Sequence, residues 1–254
     1  MRGFALIWVM GISTAWSCTN ATQDREDGAH LDEAESAILQ CGLGLCARGF
    51  HAERYSCSGS CGSCAGGPNQ TDCEPDTSSF NACGLGCPVG LHVTSYSFTG
   101  LCNTSSFPDT GDNQTSCASN AGNAFQTCGV GCPAGYHATS FGFSGLCDTS
   151  AFPDTSDNQS SCEINAGSSF QACDIGCPSG YHVTSYDRTG ACDTSDFPDL
   201  DNNRSSCDAN SGSSFTTCGI GCPSPYHLVN TSFRGSCNVA TSTSVSHNQT
   251  LCSL

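Results

Sequence analysis

Of the chain's 254 residues 23 are cysteine, and 23 acidic residues face seven arginines and no lysine, for a net charge of −16. That cysteine content approaches the density of a disulfide scaffold, and the charge excludes nucleic-acid binding, which needs a basic surface to meet phosphates. Only 37% of the residues are hydrophobic, cysteine included, so cross-links formed in an oxidising compartment must supplement small cores.

Residues 1–17 read as a signal peptide: Arg2, the apolar run Phe4 to Ile12, then small residues. The run is too short to cross a bilayer. Cleavage after Ala15 or near Ala21 would release a soluble chain. Alternatively, Ala15-Trp16-Ser17-Cys18 reads as a lipobox, with Trp16 where that motif has a small residue, and Cys18 becomes the lipidated first residue. Parity favours the second reading: the other twenty-two cysteines can pair among themselves, which leaves Cys18 over. Residues 18–40 then form an acidic tether, with a short helix expected from about residue 27 or 29 to Leu39.

From Cys41 onward the chain repeats. The pattern C-x3-C-x14-C-x14-C stands at Cys83/Cys87/Cys102/Cys117, Cys128/Cys132/Cys147/Cys162, Cys173/Cys177/Cys192/Cys207 and Cys218/Cys222/Cys237/Cys252, with first cysteines 45 residues apart. A divergent first copy carries Cys41, Cys46, Cys61 and Cys73 plus two extra cysteines, Cys57 and Cys64. A fixed period of this size marks a repeat protein. The expected modules are 41–78, 79–123, 124–168, 169–213 and 214–254, the last shaped as a terminal cap because it lacks the Phe-Pro-Asp segment. The expected fold class is small, disulfide-rich and β/coil: a tandem array of five four-cysteine modules forming a semi-rigid rod or solenoid.

Within a module, Tyr181-His182-Val183-Thr184-Ser185-Tyr186 alternates apolar and polar side chains and predicts a strand, with a small hairpin leading through Gly190 to Cys192. The Asp/Ser/Pro/Asn stretch beyond is turn chemistry, and no helix is expected. Each linker carries a Phe three residues before the next cysteine (Phe80, Phe125, Phe170, Phe215), expected to pack at the module junction. All twenty-two repeat cysteines are expected to be oxidised within their own modules. Nested pairing (first with fourth, second with third) and crossed pairing (first with third, second with fourth) both remain open. Cys57 and Cys64 are expected to form a private bond. Zinc held by Cys57, Cys61 and Cys64 is the alternative.

Four repeating positions are candidates for chemistry. His51, His92, His137, His182 and His227 stand five residues after each second cysteine, suited to metal or pH sensing but more simply to half-buried packing or a hydrogen bond to backbone. Asp109/Asp112, Asp154/Asp157 and Asp199/Asp201, with Asn113, Asn158 and Asn202, offer oxygens for Ca2+, the one cofactor the sequence leaves room for; the same residues also build turns. Asn69, Asn113, Asn158, Asn203 and Asn248 each head a sequon before a last cysteine, with Asn20, Asn103 and Asn230 besides. They are glycosylation acceptors only in a eukaryotic secretory pathway. The aromatic set Tyr136/Phe141/Phe143, with its counterparts Tyr181/Tyr186 and Leu91/Tyr96/Phe98, could stack on sugars, although with so little other apolar material it is expected to form the mini-core. No nucleophile, zinc or phosphate-loop motif of an enzyme is present.

The segment C-x3-C-P-x-G-Y resembles turns of growth-factor-receptor-like extracellular modules. The whole chain, with its leader, its lack of lysine and its odd Cys18, resembles cysteine-rich repeat lipoproteins of Gram-negative bacteria. The resemblance implies export and a lipid anchor at Cys18, and no activity. The sequence therefore predicts a non-catalytic protein at the outer-membrane surface or outside the cell: a coat, spacer or adhesion protein. Its partner would be an extracellular protein or glycan, and it would touch a membrane only through the anchor. A carbohydrate- or protein-binding array and a secreted enzyme inhibitor are the alternatives.

Overall fold

The computed structural model describes residues 37–44, 46–105, 111–149, 156–194, 201–240 and 246–254. Cys18, Asp109, Asp154, Asp199 and the leader lie outside the described residues. Each module is one three-stranded antiparallel sheet. The strands are β1 Ile38–Cys41, β2 Phe50–Ser56 and β3 Gln70–Pro75; β4 Ser79–Cys83, β5 Leu91–Ser97 and β6 Gln114–Ser119; β7 Ala124–Cys128, β8 Tyr136–Gly142 and β9 Gln159–Ile164; β10 Ser169–Cys173, β11 Tyr181–Asp187 and β12 Arg204–Ala209; and β13 Ser214–Cys218, β14 His227–Ser232 and β15 Gln249–Ser253. The last strand of each module lies between the other two, in the order β1-β3-β2 and its equivalents.

Two expectations are corrected here. Ile38 and Leu39, read as the end of a helix, belong to β1, where Ile38 stands opposite Cys73 and Leu39 opposite Asp72. Acidic residues upstream and a run of helix-tolerant residues are local preferences, and a sheet edge only a module's length away overrides them. The strand predicted over Tyr181 to Tyr186 exists, but it forms no hairpin with the residues running to Cys192. It pairs with β12, and Gly190–Cys192 is a single 3-10 turn, as is its counterpart in every module.

The disulfides are crossed. In module three Cys128 bonds Cys147 and Cys132 bonds Cys162, and modules two, four and five follow suit with Cys83–Cys102, Cys87–Cys117, Cys173–Cys192, Cys177–Cys207, Cys218–Cys237 and Cys222–Cys252. Module one has Cys41–Cys61 and Cys46–Cys73, and Cys57–Cys64 is the private third bond, so no thiolate there is left for zinc. The first–third bond fastens the outer strand to the 3-10 turn. The second–fourth bond fastens the loop after that strand to the sheet's middle.

Each module's core is sulfur and hydroxyl rather than aliphatic. On the middle strand the inward positions alternate between Thr or Ser and cysteine: Thr115/Cys117, Ser160/Cys162, Ser205/Cys207 and Thr250/Cys252, all essentially solvent-free. A hydroxyl can be buried there because it is paired twice. Ser160 Oγ donates to the Gly129 carbonyl at 2.7 Å and accepts from the Gly131 amide at 2.8 Å. Thr115 does the same with Gly84 and Gly86, and Thr250 with Gly219 and Gly221. Gly129 and Gly131 both take positive φ, 101° and 116°, so the C-G-x-G-C loop folds tightly over that hydroxyl.

Candidate interaction surface

The five histidines do not converge on a ligand. His92 is buried, its ring stacked on Phe125 of the next module at 4.0 Å and 14°, and its Nδ1 lies 3.1 Å from Asn120 Oδ1. His137 repeats this with Phe170 and Asn165, and His182 with Phe215 and Asn210. His51 stacks on Phe80 at 3.7 Å and pairs with Asp76. The expected packing role is present, but the polar partner is a side chain three residues past the module's last cysteine rather than backbone. In modules three to five the Phe also meets its own module's Tyr at a steep angle, as Phe170 does Tyr181 at 4.6 Å and 61°; module two has Leu91 at that position. The Tyr hydroxyl in turn donates to a linker carbonyl, Tyr181 to Gly167 and Tyr226 to Gly212. Linker, histidine and both rings thus form one junction. Behind the rings, Ala138, Phe141 and Cys132 pack on the Cys173–Cys192 bond, and Val183, Tyr186 and Cys177 pack on Cys218–Cys237.

Burial holds the His92 imidazole below the usual histidine pKa, partly opposed by its bond to Asn120. A group that is harder to protonate folded than unfolded leaves stability untouched above the unfolded pKa and lowers it as pH falls below that value. Stability of the junction between modules two and three should therefore decline as pH drops below about 6.5, until folded His92 itself takes a proton. Hydrogen exchange of the Ala124–Cys128 amides at pH 7.5 and 5.5, corrected for intrinsic rates, reads this directly. Protection should fall, and His92→Gln should show a smaller pH effect. Equal protection at both pH values in the parent chain would refute it.

The sequon asparagines are built into the turns. Asn113 Oδ1 accepts from the Thr99 amide at 2.9 Å, while its Nδ2 donates to the Thr99 carbonyl at 3.0 Å and to Asn103 Oδ1 at 3.1 Å. Asn203 and Asn248 are held the same way by residues 189 and 234, and Asn69 by Ser58 and Gly62. Asn158 Oδ1 accepts from the Ser144 amide. Both hydrogens of the Asn113 amide are already committed, so in the folded module it serves as a clamp for the 3-10 turn. Asn230, by contrast, is exposed, its Oδ1 accepting from the Thr231 amide.

Among the described residues no three His, Cys, Asp or Glu side chains converge as metal ligands. Asp112, Asp157 and Asp201 are described, and their proposed Ca2+ partners Asp109, Asp154 and Asp199 are not. Asn202, grouped by sequence with those oxygens, reaches across to module five instead, its Nδ2 donating to the Asn238 carbonyl at 2.7 Å and its amide to Val239 at 3.0 Å. Two ion pairs escaped sequence reading because register makes them. Asp187 and Arg204 stand opposite on β11 and β12, and the guanidinium bonds both carboxylate oxygens. Arg54 meets Asp72 across β2 and β3, where Gln70 also donates to the carboxylate. The bonds from Arg204 draw Asp187 below the usual carboxylate range. Burial pushes Asp72 upward, yet hydrogen bonds from Gln70, Arg54 and Ser56 outweigh it and leave Asp72 low as well. One internal signal was available for the first pair: module four alone replaces the Gln after the sequon Asn with Arg, and it alone has Asp at position 187.

One set of outward-facing residues is apolar and periodic. The residue between the glycines of each C-G-x-G-C loop, or its counterpart, is Leu43, Leu85, Val130, Ile175 and Ile220, and all five are exposed. The copies have drifted among Leu, Val and Ile without any becoming polar. The hydroxyl clamp beneath holds the loop so that this side chain points away from the sheet. The aromatic set divides: Tyr136, Phe141, Tyr181 and Tyr186 are half-buried in junctions and Tyr96 is half-buried as well, whereas Phe98 and Phe143 are exposed, as is Phe233 of module five. At the junction of modules three and four, Val130, Phe141, Ile175 and Asn203 line an open groove of about 670 Å³. An exposed aliphatic repeated once per module offers a protein or glycan partner regularly spaced contact points.

The chain matches no protein-family model, no curated protein and no solved structure. Its eleven disulfides place it in an oxidising or extracellular environment. Among the described residues no helix is long and apolar enough to cross a membrane.

Proposed function

We propose that this chain is an exported, non-catalytic array that works at or beyond the cell surface as a coat, spacer or adhesion protein, anchored through lipid on Cys18. The observation that carries the reading is the junction, built four times with the same His–Phe stack. Coupled modules of this kind transmit position and load along a chain, as freely jointed beads do not. The crossed disulfides add resistance to unfolding outside the cell. Acidic composition keeps the array soluble and spaced from its neighbours. Two acyl chains or more on Cys18 would hold it stably to a membrane, whereas one would hold it only marginally.

Protease shaving of intact producing cells tests the reading. The array should be lost from cells whose cytoplasm stays sealed, and their adhesion should fall with it; an array that survives until the cells are lysed refutes surface display. The intact mass of the mature chain tests the anchor separately. Retention of Cys18 with added acyl mass is expected, and an unmodified chain starting beyond Cys18 refutes it. A second reading, a protein- or glycan-binding array, is favoured by the periodic exposed aliphatics and by Phe98, Phe143 and Phe233.

A further inference from the structure

We propose that the outer face of the fifth module docks the first-module face of a second copy of this chain, so that arrays join head to tail through a junction of the kind that joins their own modules. Every internal junction has a receiving half and an inserting half. The receiving half is the second strand of a module, with its buried histidine and the residue after it; that residue is Val183 in module four, only 7% exposed. The inserting half is the next module's first strand, with its Phe, together with the first–third disulfide. Cys173–Cys192 and Cys218–Cys237 are buried in this way.

One half of each kind stands open among the described residues. Leu228 occupies the position of Val183, since each lies opposite the last cysteine of its sheet, yet Leu228 is 50% exposed and its neighbour Val229 58%. His227 is exposed, whereas its four counterparts are buried. This is not the polar outer face expected of a terminal cap. In module one, Ile38 occupies the position of the junction Phe, opposite Cys73 as Phe170 is opposite Cys207, and it is 43% exposed. Beside it Leu39 and Cys41 of the Cys41–Cys61 bond are exposed.

The two open halves also fit in volume. Where an internal junction combines Phe with Val or Ala, this one would combine Ile with Leu. The inserting side is smaller and the receiving side larger, a compensation that packed interfaces tolerate. A head-to-tail contact uses two different surfaces, so each added copy leaves one of each free and growth does not stop at a dimer. A tail-to-tail contact of two fifth modules would stop there.

Sedimentation velocity of the oxidised chain freed of its acyl group, so that lipid cannot itself drive association, tests this from micromolar to millimolar concentration. Species larger than a dimer should appear as concentration rises. Leu228→Asp and Ile38→Asp should each hold the chain monomeric, because each removes one of the two halves. Both positions are exposed, so folding should survive; an absence of free thiols and unchanged exchange protection in modules two to four check that it does. An equimolar mixture of the two variants should form a dimer and nothing larger, since one good half remains on each partner. A parent chain that stays monomeric throughout overturns the proposal. So does one that stops at a dimer abolished by Leu228→Asp but kept by Ile38→Asp, which would show tail-to-tail pairing.

Discussion

Replacing Cys132 and Cys162 together by alanine should destabilise module three by about 3.6 kcal/mol, because their bond closes a loop of 30 residues and loop-closure entropy grows with the logarithm of loop length. Removing Cys57 and Cys64, only 7 residues apart, should cost less, about 2.4 kcal/mol. Cys162 is also solvent-free, so its loss opens a small void that the short exposed loop at Cys57 would not. The crossed bonds of one module overlap along residues 132–147, so deleting Cys128–Cys147 as well should cost less than the sum of the two. Global melting of a repeat array is not two-state, and amide hydrogen exchange on β9 is the better measurement. A loss of 3.6 kcal/mol corresponds to exchange faster by roughly several hundred-fold at about 1.36 kcal/mol per decade. If the short-loop deletion slackened its module as much as the long-loop deletion does, loop closure would not be the source of the stability.

Phe170→Ala should uncouple modules three and four. The ring fills the space between His137, stacked at 4.0 Å, and Tyr181, met edge-on at 4.6 Å. Phe170 is half-buried, so truncation should cost about 3 kcal/mol, the lower end for a core Phe, including the geometric preference of paired rings. In a nearest-neighbour array that loss falls on one interface. Exchange protection should therefore fall along β8 and β10 while β2, two junctions away, is unchanged. Phe170→Leu keeps most of the apolar area but loses the stack, and it should lie between the parent and the alanine variant. Equal loss of protection in every module would mean that the array folds as one unit and that the junction is not its point of division. An unaltered β8 would mean that the stack contributes nothing.

The repeat was legible from residue spacing because duplication writes a period directly into the chain. Cysteine parity isolated Cys18, and the co-occurrence of Cys57 and Cys64 in one copy pointed to their private bond. The Phe before each first cysteine was readable as a junction residue, since in so polar a linker an aromatic side chain has nowhere else to bury. Crossed pairing was not readable, because nested and crossed loops satisfy the same spacings. The choice was made by the strand order, which puts the last strand in the middle and brings Cys162 beside the loop at Cys132 rather than the strand end at Cys128. The histidine's role also needed the fold. Its stacking partner comes from the next module and its hydrogen-bond partner stands 28 residues on, at Asn120 for His92. The Asp187–Arg204 pair came from sheet register, and the outward aliphatics from a loop whose direction is set by a hydroxyl buried beneath it, Ser160 under Val130. Sequence alone determined the number of units, their cross-linking chemistry and the oxidising environment that chemistry needs, all of which follow from composition and spacing. Tertiary structure decided which cysteines met, which polar groups were spent on the fold and which apolar ones were left facing out, because these depend on contacts between residues far apart along the chain.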